Sequence, residues 1–562
     1  MLGLSLFDWV VILLYAGVII WIGWRVKNKV ATSGDYFMGN RRGNKIMMIM
    51  NALGAGTHTD QAIAVSGATY GIGLAGIWYQ WVYLFSTPFY WLLAPIYRRV
   101  RYITIGDFFE ERYGSKLGSA YAVMGLTYFT LEVGLILKGT GLAINAITGG
   151  QISAEMVIII LTVFFLAYSV LGGLISALFI NLLQGSFIIV LSFMLIPFAL
   201  AAGGGLAEMK TKVPEYMFSL VAPHEVTWMF LIMIVINGLV GVVVLPHHMG
   251  VGGAGKTELN CRSGFTFGNF VKRFATLGWA YIGVLAAVLY PGLTAANREQ
   301  AFGMAVTNLL PHGLIGLMIA AMAAMVLAAS HNYMVGGSAL FTRNFYKKFL
   351  KPNSSEVHDL RVARIASLVV VVGGVIMALS LSSVVQGIKY VWQFTAFFGI
   401  AFWMGIIWRR SNRYGVWASL ATTIGTSLVT NFIFHWPLEY QIALYLPAGI
   451  LVLILVSRLT KQEPEVQLNK FYTLLHTPVG EEHKLKQQGI PIMLEGESFS
   501  GSDKTTPEQD LEENGHSLLI VDLLSLKSKF SIKRYRVDVM GFVKAFGFVL
   551  IILGIAILTT YL

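Results

Sequence analysis

Apolar runs of about 20 residues recur from Val10 to Leu459, and one more closes the chain. An α-helix rises 1.5 Å per residue, so a run of this length spans the hydrocarbon core of a bilayer, which is about 30 Å thick. The composition agrees, with 56% hydrophobic and 12% charged residues in a chain of 562. Average soluble chains carry about 25% charged residues. The sequence therefore predicts an all-α polytopic membrane protein.

The pattern places fourteen membrane helices on the chain. Their approximate bounds are 7–25, 46–70, 74–96, 118–146, 155–171, 177–201, 228–249, 271–293, 312–340, 364–384, 390–408, 414–434, 441–458 and 538–561. Loops with clusters of Lys and Arg alternate with loops that are poor in both. Because basic loops stay on the cytoplasmic side, this alternation predicts that both termini lie outside.

The predicted helices divide the chain into three parts. Residues 1–458 form a core with thirteen helices, 459–537 form a cytoplasmic insert, and 538–562 form a final helix. The insert is rich in Gly, Ser, Glu and Pro over 487–514, which favours disorder. Its flank, 518–536, alternates apolar with basic residues, a pattern typical of an amphipathic helix on a membrane surface. We expect a plain tether to the last helix, with the membrane-surface helix as the alternative. We expect the location to be a bacterial inner membrane.

The net charge of +12 is scattered over short loops, so it indicates topology and excludes nucleic-acid binding. A lone cysteine, Cys261, cannot form an intrachain disulfide. Neither an H-E-x-x-H motif nor a serine-centred elbow occurs, and Thr57-His-Thr-Asp60 lacks the spacing of a zinc site. The sequence therefore predicts that the chain is not an enzyme, and it supports no resident cofactor or confident metal site.

Small residues interrupt two of the predicted helices near their middles, at Gly54–Asp60 and at Asn237–Gly241. Unwound backbone at membrane depth is tolerated where it is buried or lines a cavity. Paired interruptions in corresponding helices indicate a secondary transporter built from inverted repeats, with its site at the midplane. The repeats would cover about 46–201 and 228–408.

Several short blocks resemble, in order, those of one family. They are Gly34-Asp-Tyr-Phe-Met-Gly39, Asp60-Gln-Ala-Ile-Ala-Val-Ser-Gly-Ala-Thr-Tyr70, Thr104-Ile-Gly-Asp-Phe-Phe-Glu-Glu-Arg-Tyr-Gly114, Gly172-Gly-Leu174 with Gln184-Gly185, Leu245-Pro-His-His248, Leu340-Phe-Thr-Arg-Asn-Phe-Tyr346 and Gly405-Ile-Ile-Trp-Arg-Arg410. The chain resembles the sodium:solute symporter family. The resemblance implies a LeuT-like fold of 5+5 inverted repeats, with one extra N-terminal helix and three C-terminal helices. It also implies solute uptake coupled to a sodium gradient.

The region where the resemblance places the family's sodium site departs from the family pattern. Its residues are Gly54, Thr57, Asn181, Met325, Ala328 and Ala329. The two alanines stand where family members carry serines, and Ile180-Asn181 replaces a Thr-Asp pair. Sodium needs hard oxygen ligands, which a methyl group cannot supply. We therefore hypothesise that sodium at this site does not drive transport, although sodium remains a doubtful candidate for the coupling ion.

Ionisable residues at membrane depth are the candidates for a different coupling site. They are costly to bury in lipid and are therefore by default functional. Lys138 and Asp60 would face one cavity, with Lys138 as a surrogate cation, a proton carrier or an anchor for a solute carboxylate. His58 and His331 approach the same region, and histidine titrates near neutral pH. Packing roles for both histidines stay open.

The resemblance also implies a solute pocket. Gln61 matches a family glutamine, Gln80 falls on a glutamate position, and Lys272 matches a pocket lysine. Trp78 offers a flat apolar face, although aromatic residues at helical spacing are usually packing residues. Lys138 falls on a tyrosine position, which favours an anionic solute over a neutral sugar. We interpret His247-His248 as structural.

These observations favour a secondary active transporter that moves a small organic solute, such as a sugar or an organic anion, by alternating access. Coupling is sodium-independent or proton-linked. A solute sensor that keeps the transporter fold without coupled transport is the alternative. The expected partners are the solute and the lipid bilayer, and the oligomeric state is open.

Overall fold

A computed structural model describes residues 3–26, 37–169, 173–222, 225–493, 517–525 and 531–561. Within these ranges the chain folds into helices, and extended pairing is confined to two isolated bridges. The all-α prediction is confirmed. The stretch expected to be disordered, 487–514, lies mostly outside the described residues.

The principal helices, numbered in chain order, are α1 (Leu6–Val26), α2 (Lys45–Gly56), α3 (Thr59–Ile72), α4 (Phe89–Arg99), α5 (Ile105–Tyr113), α6 (Ser115–Ile147), α7 (Ala154–Ser169), α8 (Gly173–Gly203), α9 (Trp228–Gly241), α10 (His248–Gly253), α11 (Glu258–Leu289), α12 (Leu314–Phe341), α13 (Glu356–Ser380), α14 (Val384–Ile407), α15 (Arg413–Leu428), α16 (Leu438–Leu459), α17 (Glu465–His476), α18 (Glu482–Gln487) and α19 (Arg536–Tyr561). Shorter helices are Trp78–Trp81, Leu206–Thr211, Ala301–Leu309 and Lys347–Phe349.

By length and hydropathy, nine helices within the described part of the chain can cross a membrane, and four apolar helices are shorter. The long helices agree with the membrane-protein prediction. The count of fourteen spans stays a prediction, because several predicted spans are divided or short in the structure.

The first predicted interruption is present. Helix α2 ends at Gly56, α3 begins at Thr59, and the two residues between them have extended backbone, with φ/ψ of −123°/116° at Thr57 and −130°/162° at His58. The break lies inside the predicted segment. It leaves the carbonyl end of one half-helix facing the amide end of the other at the centre of the protein.

The second interruption lies later than predicted. Helix α9 runs unbroken through Asn237 to Gly241, and the chain unwinds from Val242 to His247. The Asn237 amide donates to the Trp392 carbonyl at 3.0 Å and accepts from the Tyr445 hydroxyl at 2.6 Å, so neighbouring helices satisfy it. Pro246, which lacks a backbone N–H and disfavours helix before it, accounts for the observed position.

Close helix packing surrounds the first break. Helix α2 packs on α8 and α11, and α3 packs on α6 and α11. A Cβ atom on Gly268 of α11 would lie 2.5 Å from the Ile49 carbonyl oxygen, and one on Gly139 of α6 would lie 2.6 Å from the Asp60 Cα. Glycine is therefore required where these backbones meet.

The region after α16 is more than a tether. Helix α17 packs against α4 and α5. Glu258 at the start of α11 binds Arg99 of α4 at 2.8 Å and accepts from the Val479 N–H at 3.1 Å. Arg101 pairs with Glu482 of α18 at 2.9 Å. The described parts of 518–536 form turns, with a single 3-10 turn at Leu523–Ser525, so the alternative of an amphipathic helix is wrong for those residues.

Candidate solute and ion site

A small cavity of about 60 Å³ lies at the break between α2 and α3. A water molecule occupies about 30 Å³ in the liquid, so the cavity has room for a few waters and none for an organic solute. Its polar lining is His58, Asp60, Gln61, Gln80, Tyr83, Tyr90, Tyr128, Glu132, His247, His248, Asn269, Lys272, Arg273 and Tyr333. The ionisable groups therefore surround a space smaller than an organic solute.

The broken helix provides two polar ends to this cavity. The Gly56 carbonyl at the end of α2 accepts a hydrogen bond from the Lys272 ammonium and another from the Gln61 amide, the latter at 3.3 Å. A cation at a helix C-terminus is favourable. Asp60 lies in the first turn of α3, where the amide end of the helix favours an anion.

His58 lies at the centre of the site. Its Nε2 atom is 2.9 Å from the Tyr333 hydroxyl, and its Nδ1 atom is 3.0 Å from the Gln61 amide nitrogen and 3.4 Å from the Asp60 carboxylate. The side chains of His58 and Asp60 are 3% and 2% exposed. The imidazole is therefore held inside the protein by a hydroxyl, an amide and a carboxylate.

Glu132 adds a second carboxylate from α6. The ligand atoms of His58, Asp60 and Glu132 all lie within 4.8 Å of one another. Tyr128 precedes Glu132 by four residues on α6, so both side chains lie on one helix face and reach the cavity. The Tyr128 hydroxyl is 3.5 Å from Nδ1 of His247.

The cavity lining pairs two basic residues with two acidic ones. Lys272 and Arg273 lie on α11, and Asp60 and Glu132 lie on α3 and α6. Arg273 donates to the Gln80 carbonyl at 3.0 Å. An extra charge without a counter-charge is costly in a buried site. An ionic solute therefore requires a compensating ion or proton.

Five of the predicted site residues line this cavity. They are His58, Asp60, Gln61, Gln80 and Lys272.

Three others lie elsewhere. Lys138 is half-buried on α6, six residues beyond Glu132 and thus on another helix face, and it interacts electrostatically with Glu155. The expected Lys138–Asp60 juxtaposition is not found, because Gly139 rather than Lys138 faces Asp60. His331 is buried on α12 outside the cavity lining. Trp78 donates to the Leu220 carbonyl at 2.9 Å and stacks on Phe85, which is a packing role.

Of the residues predicted for the cation region, Met325 lies in a buried apolar cluster. Leu53, Ile188 and Met325 form a buried cluster on which Met50 and Val271 pack. Ala328 and Ala329 are buried on α12, and Gly54 is buried on α2. The side chain of Asn181 lies outside the described residues. Thr57, at the break, is buried, and its hydroxyl makes no hydrogen bond with the part of the chain that the structure describes.

Several cavity residues escaped the sequence reasoning. Tyr333, Arg273 and Glu132 are not among the residues that the sequence predicts for the site. Tyr128 and Glu132 are polar residues four positions apart on an apolar helix. This spacing is the sequence signal that could have identified the side of α6 that lines the cavity. His247, interpreted as structural, lines the cavity because the chain unwinds just before it.

Comparisons with known proteins agree with this geometry. The sodium/glucose cotransporter of Vibrio parahaemolyticus is 26% identical over 76% of this chain and 86% of its own. The sodium/pantothenate symporter of Haemophilus influenzae is 24% identical over 77% of this chain and 93% of its own. A solved structure of a Na+-coupled sialic acid symporter, in a substrate-bound outward-open state, is 15% identical over 82% of this chain and 99% of its own, with a TM-score of 0.72.

The relatives are transporters, in agreement with the prediction that the chain is not an enzyme. The profile of the Sodium:solute symporter family matches residues 36–423, which is more than half of the chain. The fold and the profile together confirm the family resemblance. This chain belongs to the sodium:solute symporter family and is a secondary active transporter with a LeuT-like fold.

Proposed function

We propose that this transporter moves a small organic anion through the central cavity together with a proton, and that sodium at the family's usual position is not the driving ion. The observation that carries the proposal is the contrast in chemistry around the broken helix. Where the sodium site is expected, Leu53, Ile188 and Met325 are packed together. Ionisable groups line the neighbouring cavity instead.

The balance of charge supports a proton as the second cargo. Lys272 and Arg273 already compensate Asp60 and Glu132, so a carboxylate solute adds an unpaired negative charge. A proton taken up by the cluster of His58, Asp60 and Glu132 restores neutrality at the same depth. Charge compensation in a low-dielectric site is worth several kcal/mol, so solute and proton favour each other's binding.

Two relatives support an acidic solute. Their substrates, pantothenate and sialic acid, are carboxylic acids. Lys272 and Arg273 on α11 provide the cations that such a group requires. A neutral sugar, as in the Vibrio relative, would leave the cavity balanced without a proton, and the test below distinguishes the two.

Proteoliposome uptake tests the proposal with a panel of small carboxylic acids and neutral sugars. We expect a carboxylic acid to accumulate under an inward proton gradient, equally well in sodium and in choline buffer. Asp60→Asn should abolish the response to the proton gradient. Asp359→Asn, at a buried carboxylate near the start of α13 and outside the cavity, is the matched control.

Uptake that requires sodium at constant pH on both sides would overturn the proton-coupled assignment. A chelator provides a further arm, because an imidazole with two carboxylates is also a donor set for divalent cations. Loss of uptake with the chelator, and recovery with one metal, would replace the proton with that metal. Accumulation of a sugar alone would overturn the anionic solute.

A further inference from the structure

The last helix leaves a crevice beside its first turns. The crevice has a volume of about 630 Å³ and lies between α19, α4 and α11. Binding sites for small ligands commonly measure about 300–1,000 Å³. This crevice is separate from the central cavity, and the transport mechanism proposed above does not use it.

Its rim is basic. Lys533, Arg534, Arg536 and Lys544 line the crevice and are exposed. Among the described residues that line it, Asp538 is the acidic one, and its carboxylate is engaged by Arg262 at 2.7 Å and by the Leu519 N–H at 2.7 Å.

Three of the rim cations have no carboxylate partner among the described residues. Within the described part of the chain, Lys533, Arg536 and Lys544 form no ion pair with a carboxylate within 4.0 Å. Arg534 donates to the Ser517 hydroxyl at 2.6 Å, which fixes its position at the mouth.

Its floor is apolar and rigid. Trp91 of α4 donates its indole N–H to the Val537 carbonyl at 2.9 Å, and its ring lies directly on Gly541, where a Cβ atom would be 2.0 Å from the indole nitrogen. Phe267 and Met540 complete this surface. Helix α19 lies at the periphery of the protein, and 22% of its apolar stretch is buried in the protein. A molecule dissolved in the bilayer can therefore reach the crevice.

We propose that this crevice binds the head group of an anionic phospholipid. Lys and Arg bind phosphate oxygens through charge-assisted hydrogen bonds. Basic residues at the start of a membrane helix are well placed to meet phosphate at the bilayer surface. The apolar floor continues along the lipid-facing side of α19, so acyl chains can follow the helix while the phosphate stays on the rim. Free phosphate would use the same cations without this floor.

Lipid binding by the purified full-length protein, measured by native mass spectrometry, tests the proposal. The probes are phosphatidylglycerol, phosphatidylcholine and inorganic phosphate. The test variant combines Lys533→Gln, Arg536→Gln and Lys544→Gln. The matched control removes three exposed charges elsewhere, with Lys116→Gln at the start of α6, Lys351→Gln between α12 and α13, and Arg361→Gln in α13. Melting temperatures establish that both variants fold.

Each cation near a membrane surface contributes about fivefold in affinity. We therefore expect the test variant to bind phosphatidylglycerol on the order of 100-fold more weakly than the parent, while the control variant binds as the parent does. Equal binding by the parent and the test variant, or equal weakening in both variants, would overturn the site. Phosphatidylcholine bound as tightly as phosphatidylglycerol would overturn its preference for an anion. Displacement by inorganic phosphate at matching concentrations would assign the crevice to free phosphate instead.

Discussion

The charged cavity and the apolar cluster lie on the two halves of the same broken helix, yet they have opposite chemistry. His58 of the cavity lies in the break and Asp60 follows it, whereas Leu53 of the cluster precedes it. The cluster fixes α2 against α8 and α12 by packing, whereas the cavity is lined by ionisable groups. Under the proposed function, the groups that bind the coupling ion lie beside the family's usual sodium position rather than in it.

Replacing Lys272 by methionine should have the largest effect. Removal of one partner from a buried charged group costs about 3–5 kcal/mol, because Asp60 and Glu132 would lose a balancing cation and the Gly56 carbonyl would lose a donor. We expect uptake to fall at least about 100-fold in proteoliposomes. Lys138→Met, at a half-buried lysine outside the cavity lining, should retain uptake. The reverse result would return Lys138 to the solute site.

Replacing Leu53 by alanine tests the other region. The side chain is fully buried against Ile188 and Met325, and a leucine-to-alanine change in a core costs about 2–5 kcal/mol. We expect a lower melting temperature but nearly unchanged uptake per folded molecule. Leu379→Ala, at a half-exposed position on α13, should change stability much less. Loss of uptake without loss of stability would show that the cluster takes part in coupling.

Thr57 lies at the break, between the cavity and the apolar cluster, and its replacement tests to which of these two regions it belongs. Its buried hydroxyl has no hydrogen-bond partner within the described residues, so Thr57→Val should change stability by less than about 1 kcal/mol and leave uptake intact. Thr59→Val should cost about 1 kcal/mol, because the Thr59 hydroxyl donates to the Met322 carbonyl at 3.2 Å. If Thr57→Val alone abolishes a sodium-dependent uptake, a sodium ion binds at the break.

A second histidine–aspartate pair lies outside the membrane helices. Its variant should have the smallest effect of those considered, and the pair serves as a reference for His58 and Asp60. His476 and Asp522 are 3.3 Å apart, close to the 3.4 Å of His58 and Asp60, but the His476 side chain is 45% exposed. The hydrogen bond to Asp522 raises the pKa of His476 above its ordinary value of 6.5. Its stabilising contribution is therefore full below about pH 6.5 and disappears as the pH rises through the raised pKa.

Limited proteolysis of α17 at about pH 6 and about pH 8 measures this contribution. We expect slower cleavage at the lower pH, once the rate is corrected for the protease's own pH profile. His476→Asn should remove the difference. Faster cleavage at the lower pH would contradict the assignment of the charged pair.

Local patterns were sufficient for the fold, but not for the whole site. The Gly54–Asp60 segment located the first break because small residues and a histidine interrupt an apolar helix. Asn237–Gly241 misplaced the second break, because the same residue types also allow helices to pack closely: a Cβ atom on Gly238 would lie 2.7 Å from the Val82 carbonyl oxygen. That distinction depends on partners far away in sequence.

Prediction of the site from the sequence was limited in the same way, by contacts between residues that are far apart in sequence. Lys272 and Asp60 were found from the family pattern and from the cost of charge in lipid. Glu132 was missed and Lys138 was overvalued because both lie on one helix, and the choice between them depends on which face meets α3. The contact between Gly139 and Asp60 decides that face, and a single sequence does not contain it.

The carboxylate of Glu258 has a consequence for biosynthesis. It joins Arg99, made 159 residues earlier, to Val479, made 221 residues later. Ribosomes add about 5–20 residues per second, so roughly 10 to 45 seconds separate the synthesis of Glu258 from that of its last partner. Throughout that interval the nascent chain holds an incompletely bonded carboxylate at the membrane surface, and a chain truncated before Val479 would keep it. Quality-control proteases that act on newly inserted proteins could therefore recognise this incompletely bonded face until the segment after α16 had emerged.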